Sequence, residues 1–232
     1  MPPLPRRYAL LTAAAGVVAA SAALASPASA SVTGSTATDD VVLYDHCQNH
    51  DISYDLAVSP GTSLWRLEVQ VSDPQGFLSQ GTVVNSATNP ATTGTIQVSF
   101  CGSEATGTYT VRATGFYEIV PAVQIPFSLP ETMFEVRPAA TSATLTQRDL
   151  GHGRHRLVAH VREQGEDGYE RADGVPVTLQ RLVHGQWQRV RGLTLTTVHG
   201  AAVATTRGHG TYRAVVPPGG NHAASASAPL KV

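Results

Sequence analysis

Apolar and polar residues alternate with a period of two along most of the chain after residue 30. In the segment 52–58, for example, Ile52, Tyr54, Leu56 and Val58 occupy every second position, and polar or small residues lie between them. The same alternation occurs at 65–71, 96–100 and 109–113. A period of two with one apolar face is typical of half-buried antiparallel strands, and no segment shows the period of a helix.

Turn-forming residues separate these strands, among them the segments 59–61, 73–76 and 89–90. The pattern then restarts after a short linker. Short strands at this spacing indicate a β-sandwich. We therefore predict an all-β protein with two tandem immunoglobulin-like antiparallel β-sandwiches, at 36–137 and 141–232, joined by the linker 138–140.

Both predicted sandwiches contain a late strand that opens with Gly-Thr-Tyr, at 107–109 and 210–212. Tyr109 and Tyr212 therefore stand at the start of a penultimate strand in each half. This is the position of the tyrosine corner in immunoglobulin-like sandwiches, and it supports the prediction of that fold.

Residues 1–30 have the pattern of a secretory signal peptide. Arg6 and Arg7 precede an alanine-rich apolar run at 8–24, and Ala28-Ser29-Ala30 is a small-x-small cleavage signal. The apolar run is short for a membrane span. We predict cleavage between Ala30 and Ser31, no transmembrane anchor in the mature chain, and a secreted, extracellular location; Sec and twin-arginine export both stay open.

The second half resembles the bacterial immunoglobulin-like repeat of secreted actinobacterial proteins. The resemblance extends over about 90 residues, and the segments 174–190, 210–216 and 227–232 carry it. The matching residues are Val177, Thr178, Leu179, Gln180, Arg181, Trp187, Val190, Gly210, Tyr212 and Arg213. It implies a spacer or recognition module without catalytic residues. The chain departs from the pattern in its longer, more acidic loop at 164–173 and in its turn at 198–201.

The chain contains two cysteines, and an even count in a secreted protein favours one disulfide. Cys47 precedes the strand at 52–58, and Cys101 follows the strand at 96–100. Both positions lie at the same end of a predicted sandwich. We therefore predict a Cys47–Cys101 disulfide, which leaves neither sulfur free as a metal ligand or nucleophile.

The segment 43–56 around Cys47 is rich in potential metal ligands: His46, His50, Asp45, Asp51 and Asp55. A spacing of four between two histidines suits one face of a helix better than a turn followed by a strand. We interpret the segment as a structural corner and predict no metal or other cofactor there. A Ca²⁺ or other cation site is the first alternative, and a catalytic role is the second.

Other candidate sites are weaker. Residues 151–155, Gly-His-Gly-Arg-His, join two predicted strands and lack a nearby third metal ligand, so we favour a glycine turn with solvated histidines over a metal site. The acidic segment 165–174 does not match the twelve-residue calcium loop, so a solvated hairpin loop is favoured over a loose Ca²⁺ site. Trp65 and Trp187 lie in strand patterns; we predict that both are core residues, with sugar stacking as the alternative.

Charge is distributed unevenly along the chain. From Ser31 to residue 140 there are 3 arginines and 11 acidic residues, a net charge of −8. From Thr141 onward, 10 arginines and 1 lysine against 6 acidic residues give +5, and 7 histidines would add positive charge in mild acid. A basic surface outside the cell suggests contact with an anionic cell-wall polymer, lipid headgroups or an acidic protein partner. The alternatives are that the acidic half docks on the basic half, or that the arginines and acidic residues merely solvate the two surfaces.

No catalytic or phosphate-binding motif occurs in the chain. We predict a secreted, non-enzymatic protein of extracellular or cell-envelope recognition, with no catalytic residue, no cofactor and no nucleic-acid partner. The alternative is a secreted enzyme or metal-binding accessory protein with a dispersed site, because catalytic triads assemble in space rather than in sequence.

Overall fold

A computed structural model describes residues 31–120 and 123–232, and in these ranges the chain is all-β. The predicted signal peptide, including Ala30, lies outside the described residues. Within them we find no apolar helix of membrane-spanning length. The strands before residue 139 are β1 Val32–Ala37, β2 Val41–Leu43, β3 Gln48–Val58, β4 Leu64–Ser72, β5 Leu78–Asn85, β6 Thr93–Phe100, β7 Gly107–Glu118, β8 Gln124–Ser128 and β9 Thr132–Pro138. The later strands are β10 Thr141–Asp149, β11 Arg154–Gly165, β12 Gly168–Arg171, β13 Pro176–Val183, β14 Gln186–Arg189, β15 Leu195–Thr196, β16 Ala201–Arg207, β17 Thr211–Val216, β18 Ser225–Ala226 and β19 Leu230–Lys231.

The N-terminal half, residues 31–138, consists of two sheets around one core. Sheet I has the order β1-β3-β6, and sheet II has the order β2-β9-β7-β4-β5, with β8 also paired to β7. Alternate residues of both sheets form a single buried cluster, to which sheet I contributes Ile52 and Phe100 and sheet II contributes Leu67 and Tyr109. The apolar positions of the period-two pattern in the sequence are therefore the positions that point into this core.

The C-terminal half, residues 141–232, also has two sheets. Sheet III contains β10, β11, β12 and β16, with β11 at its centre. Sheet IV is formed around β13 and β17, to which β14, β15, β18 and β19 pair. Leu157, Ala159 and Val161 of β11 point inward into the buried clusters between the sheets. The intervening residues of β11 consequently point outward.

Two expectations need adjustment. Trp65 is buried in the N-terminal core as predicted, but Trp187 is only half-buried, and the prediction that it is a core residue is wrong. It lies on β14, an edge strand of sheet IV, where the Arg213 guanidinium carbon stacks 4.4 Å from the centroid of its ring. A cation–π contact of this kind accommodates a large aromatic side chain at a partly exposed position. In addition, β1 begins at Val32, four residues before the predicted start of the first sandwich.

The two Gly-Thr-Tyr tyrosines are both buried but differ in their polar contacts. The Tyr109 hydroxyl donates a hydrogen bond to the Ala105 carbonyl, four residues upstream, at 3.0 Å. Burial, with a contribution from Glu104 and Asp73, raises the pKa of Tyr109 to about 12. Tyr212 instead has the Arg181 guanidinium 5.8 Å from its ring centroid.

We expect Tyr109→Phe to lower the free energy of unfolding by about 1 kcal/mol, because it removes one hydrogen bond and leaves the partly buried Ala105 carbonyl without this donor. Tyr212→Phe is the matched control, and it should cost less. Urea unfolding of both variants measures the difference. Equal losses in the two variants would show that the Tyr109 hydrogen bond does not stabilise this turn.

Candidate functional site

The corner around Cys47 is formed by the β3–β6 ladder. Gln48 and Phe100 are directly paired in this ladder, so Cys47 and Cys101 occupy the next position beyond the pair on each strand. The two cysteines form a disulfide, as predicted, and no free cysteine occurs among the described residues. Both sulfurs are therefore unavailable for metal binding or nucleophilic attack.

The two histidines of this corner point to different partners. The His50 Nε2 lies 2.6 Å from the Thr38 hydroxyl, and its ring stacks on Phe134. His46 stacks on Tyr44 and lies 3.4 Å from a carboxylate oxygen of Glu166, in the C-terminal half. The two histidines are close in the sequence, but in the structure their side chains contact different partners and do not converge on one site. Across residues 31–120 and 123–232, no group of three or more His, Cys, Asp or Glu side chains is arranged to hold a metal ion.

The corner adjoins the C-terminal half at a cavity of about 340 Å³. The acidic segment predicted as a hairpin loop is a β-hairpin in the structure, because β11 extends to Gly165 and β12 returns from Gly168. It provides several of the polar residues that line the cavity. The carboxylate residues lining it are Asp45, Glu163, Glu166, Asp167, Glu170 and Asp173, and the basic side chains are His46, Arg171 and His222. The loop at 219–223 completes the junction through hydrogen bonds between the backbones of Ala139, Asn221 and Ala223.

Electrostatics at this junction depend on protonation. Hydrogen bonds to Glu166 and then to Asp45 raise the pKa of His46 above its ordinary value. Burial, reinforced by the nearby Asp45, raises the pKa of Glu163. Glu163 is also directly opposite Glu170 in the β11–β12 ladder. Both shifts favour the protonated forms. The contact of His46 with Glu166 is therefore favoured in mild acid and weakens as pH rises through the raised pKa of His46, and the burial of Glu163 becomes less favourable as its carboxyl group ionises.

We expect Glu166→Gln to lower the pKa of His46, because the variant loses the largest favourable interaction of the imidazolium. The ¹H chemical shift of the His46 ring, followed from pH 5 to pH 9, reports the midpoint. Asp167→Asn is the control, since it removes a carboxylate from the same turn that makes no hydrogen bond to His46. A His46 midpoint that is the same in the wild type and in Glu166→Gln would contradict the contact.

The outer face of sheet III carries the second candidate site. Three arginines of β11 point outward from the sheet, and each stands directly opposite an arginine of a neighbouring strand. The pairs are Arg156 with Arg148 of β10, Arg154 with Arg207 of β16, and Arg162 with Arg171 of β12. All six side chains are exposed, and we call this surface the arginine face.

The arginine face has no internal neutralisation. In the described part of the chain, the one arginine–carboxylate ion pair is Arg112 with Glu131, in the N-terminal half. Like charges directly opposite each other in a sheet destabilise it, by a few tenths of a kcal/mol to about 1 kcal/mol per pair. Three such pairs on one surface therefore lower the stability of the folded protein when no ligand is bound. They provide guanidinium groups that can bind a carboxylate, phosphate or sulfate in bidentate fashion.

A groove of about 620 Å³ lies at the end of the arginine face nearest the junction. Arg162, Arg171, His160 and His199 supply its basic groups, and Ser142 and Thr144 of β10 supply hydroxyl groups. The nearest carboxylate contact of these basic groups is that of His199 with Asp173, at 3.9 Å. The groove therefore combines positive charge with hydrogen-bond donors.

The Gly-His-Gly-Arg-His segment forms the β10–β11 turn, as predicted. Gly151, His152 and Gly153 all have positive φ, and His152 is exposed. The prediction that its histidines are solvated is wrong for His155, which is 5 % exposed. His155 lies at an inward position of β11, where its ring lies 5.4 Å from that of His209. Arg154 of the same segment belongs to the arginine face.

No protein-family model matches the chain, and a search of curated proteins found no match.

Proposed function

We propose that the chain is a secreted, non-enzymatic protein of extracellular or cell-envelope recognition, and that its arginine face binds an anionic partner such as a cell-wall polymer. The observation that supports this proposal is the set of three directly opposed arginine pairs on one face of sheet III. Folding gains nothing from this arrangement, whereas an anionic ligand would neutralise it.

The immunoglobulin-like part of the proposal is supported by two observations. Each half places apolar residues of two sheets around a shared interior. The Tyr109 hydroxyl also bonds to the backbone a few residues upstream, as in a tyrosine corner. Within this interpretation, the two halves are tandem sandwiches, and the second presents the arginine face to the outside.

Docking between the oppositely charged halves and simple solvation of the two surfaces are the competing explanations of the charge asymmetry. Of the six paired arginines, only Arg171 lines the junction cavity, and the other five are absent from its wall. Most of the positive charge of the arginine face is thus not used against the acidic N-terminal half. This favours an external anionic partner over docking of the two halves.

The proposal is tested with the chain from Ser31 onward and purified anionic cell-wall polymer in a sedimentation assay. We expect binding at low ionic strength that weakens steadily with added salt, because exposed charges are screened over about 10 Å at 0.1 M. A neutral polysaccharide serves as the control ligand. Binding that is insensitive to salt, or an absence of binding at low salt, would rule out the electrostatic function.

A further inference from the structure

The arginine face is divided into two clusters along β11. The distal cluster contains Arg148, Arg154, Arg156 and Arg207, at the end of sheet III that carries the β10–β11 turn. The proximal cluster contains Arg162 and Arg171, beside the groove. Between them lies an uncharged row, in which Val158 is flanked by Thr146 and Val203. Arg162 is six positions after Arg156, which corresponds to about 20 Å along an extended strand.

We propose that the ligand of this face is a linear polyanion that lies along β11 and occupies both clusters at once. The inference rests on the proposed anion-binding function and specifies its ligand. When one part of the polyanion is bound at one cluster, the rest of it is held at a high effective concentration near the other cluster. Occupation of both clusters therefore strengthens binding without any new type of contact. The ligand must span about 20 Å to gain this advantage.

The shape of the charged surface favours a narrow, linear polymer over a broad, planar ligand. Sheet III is three strands across at β11, a width of about 10 Å between its outer strands. The proximal cluster adjoins the acidic hairpin turn at Glu166 and Asp167, and beyond it lies the N-terminal half with its net charge of −8. A broad anionic plane such as a bilayer would meet these carboxylates as well, whereas a single polymer chain can remain on the arginines.

Phosphate is the most direct probe of this chemistry, because a guanidinium forms two parallel hydrogen bonds with it. Inorganic polyphosphate provides a linear chain of one chemical type in several lengths. Tripolyphosphate reaches only one cluster, and a long chain reaches both. The probe therefore separates the charge of the ligand from its reach.

The experiment measures binding of tripolyphosphate and of long-chain polyphosphate to the chain from Ser31 onward by calorimetry. We expect the long chain to bind about 100-fold more tightly. R154T/R156T impairs the distal cluster and R162T/R171T removes the proximal one, and each should reduce most of this preference. R189T/R191T is the matched control, because it removes the same charge from exposed positions outside sheet III. Threonine is well tolerated at exposed strand positions, so all variants should fold.

The outcomes are distinguishable. A long chain contains more sites than a short one, but this statistical advantage is retained in all variants, so a preference for the long chain that is as large in both cluster variants as in the wild type overturns the two-cluster inference. Equal affinities of the wild type for both lengths also overturn it, while the proposed function stands. Failure of every polyanion to bind overturns both. Tight adsorption to vesicles of anionic lipid, without a length preference for polyphosphate, identifies a membrane surface as the ligand instead.

Discussion

Replacement of both Cys47 and Cys101 by alanine is expected to lower the free energy of unfolding by about 4 kcal/mol. The disulfide closes a loop with a sequence separation of 54 residues, which restricts the unfolded chain and thereby favours the folded state. A loss of this size is a large fraction of the 5–15 kcal/mol that is typical of the stability of globular proteins. The effect should appear in the N-terminal half, where both cysteines lie.

Urea unfolding followed by the fluorescence of Trp65, which is buried in the N-terminal core, measures this loss. Trp187→Phe in all samples removes the only other tryptophan signal. The wild-type chain under reducing conditions should approach the stability of the double variant, and the double variant should be insensitive to reductant. A loss below about 1 kcal/mol would show that the unfolded chain is not restrained by the disulfide in the way that the loop-closure account requires.

The second large effect concerns the arginine face. R148T/R156T removes one directly opposed pair, and we expect it to weaken polyanion binding by about tenfold or more, because each charge-assisted bond is worth roughly 1.5–3 kcal/mol. The same substitution should leave stability unchanged or raise it by up to about 1 kcal/mol, since it relieves the repulsion between two like charges.

The opposite signs of these two effects separate a binding role from a structural one. Thermal unfolding and polyanion titration are both needed, and R189T/R191T controls for the change in net charge. A variant that loses stability and binding in parallel would indicate that the arginines support the fold. A variant that retains full affinity would place the binding surface elsewhere.

Much of the fold could be predicted from alternation alone. The segments with a period of two, such as 52–58 and 96–100, are strands whose apolar positions form the N-terminal core. The partial exposure of Trp187 was less predictable. Burial of an aromatic residue on an edge strand depends on a side chain that is distant in the sequence, here that of Arg213. The junction was not predictable either. His46 and Glu166 are 120 residues apart, and no local pattern connects them.

The arginine face was partly visible in the sequence. The charge asymmetry between the halves was predicted, but its arrangement on one surface was not. Two of the pairs follow from symmetry about a turn: Arg148 and Arg156 are equidistant from His152, and Arg162 and Arg171 flank the turn at 166–167. The pair of Arg154 with Arg207 requires a long-range ladder, which only the folded chain reveals.

The most direct test of the account is to map polyphosphate binding on the chain by NMR, through the side-chain Nε–H signals of the arginines. We predict that the signals of Arg148, Arg154, Arg156, Arg162, Arg171 and Arg207 shift together on titration. Those of Arg189 and Arg213, on sheet IV, should remain in place. Shifts confined to sheet IV or to the N-terminal half, or no shifts at low salt, would contradict the claim that the paired arginines form the binding surface.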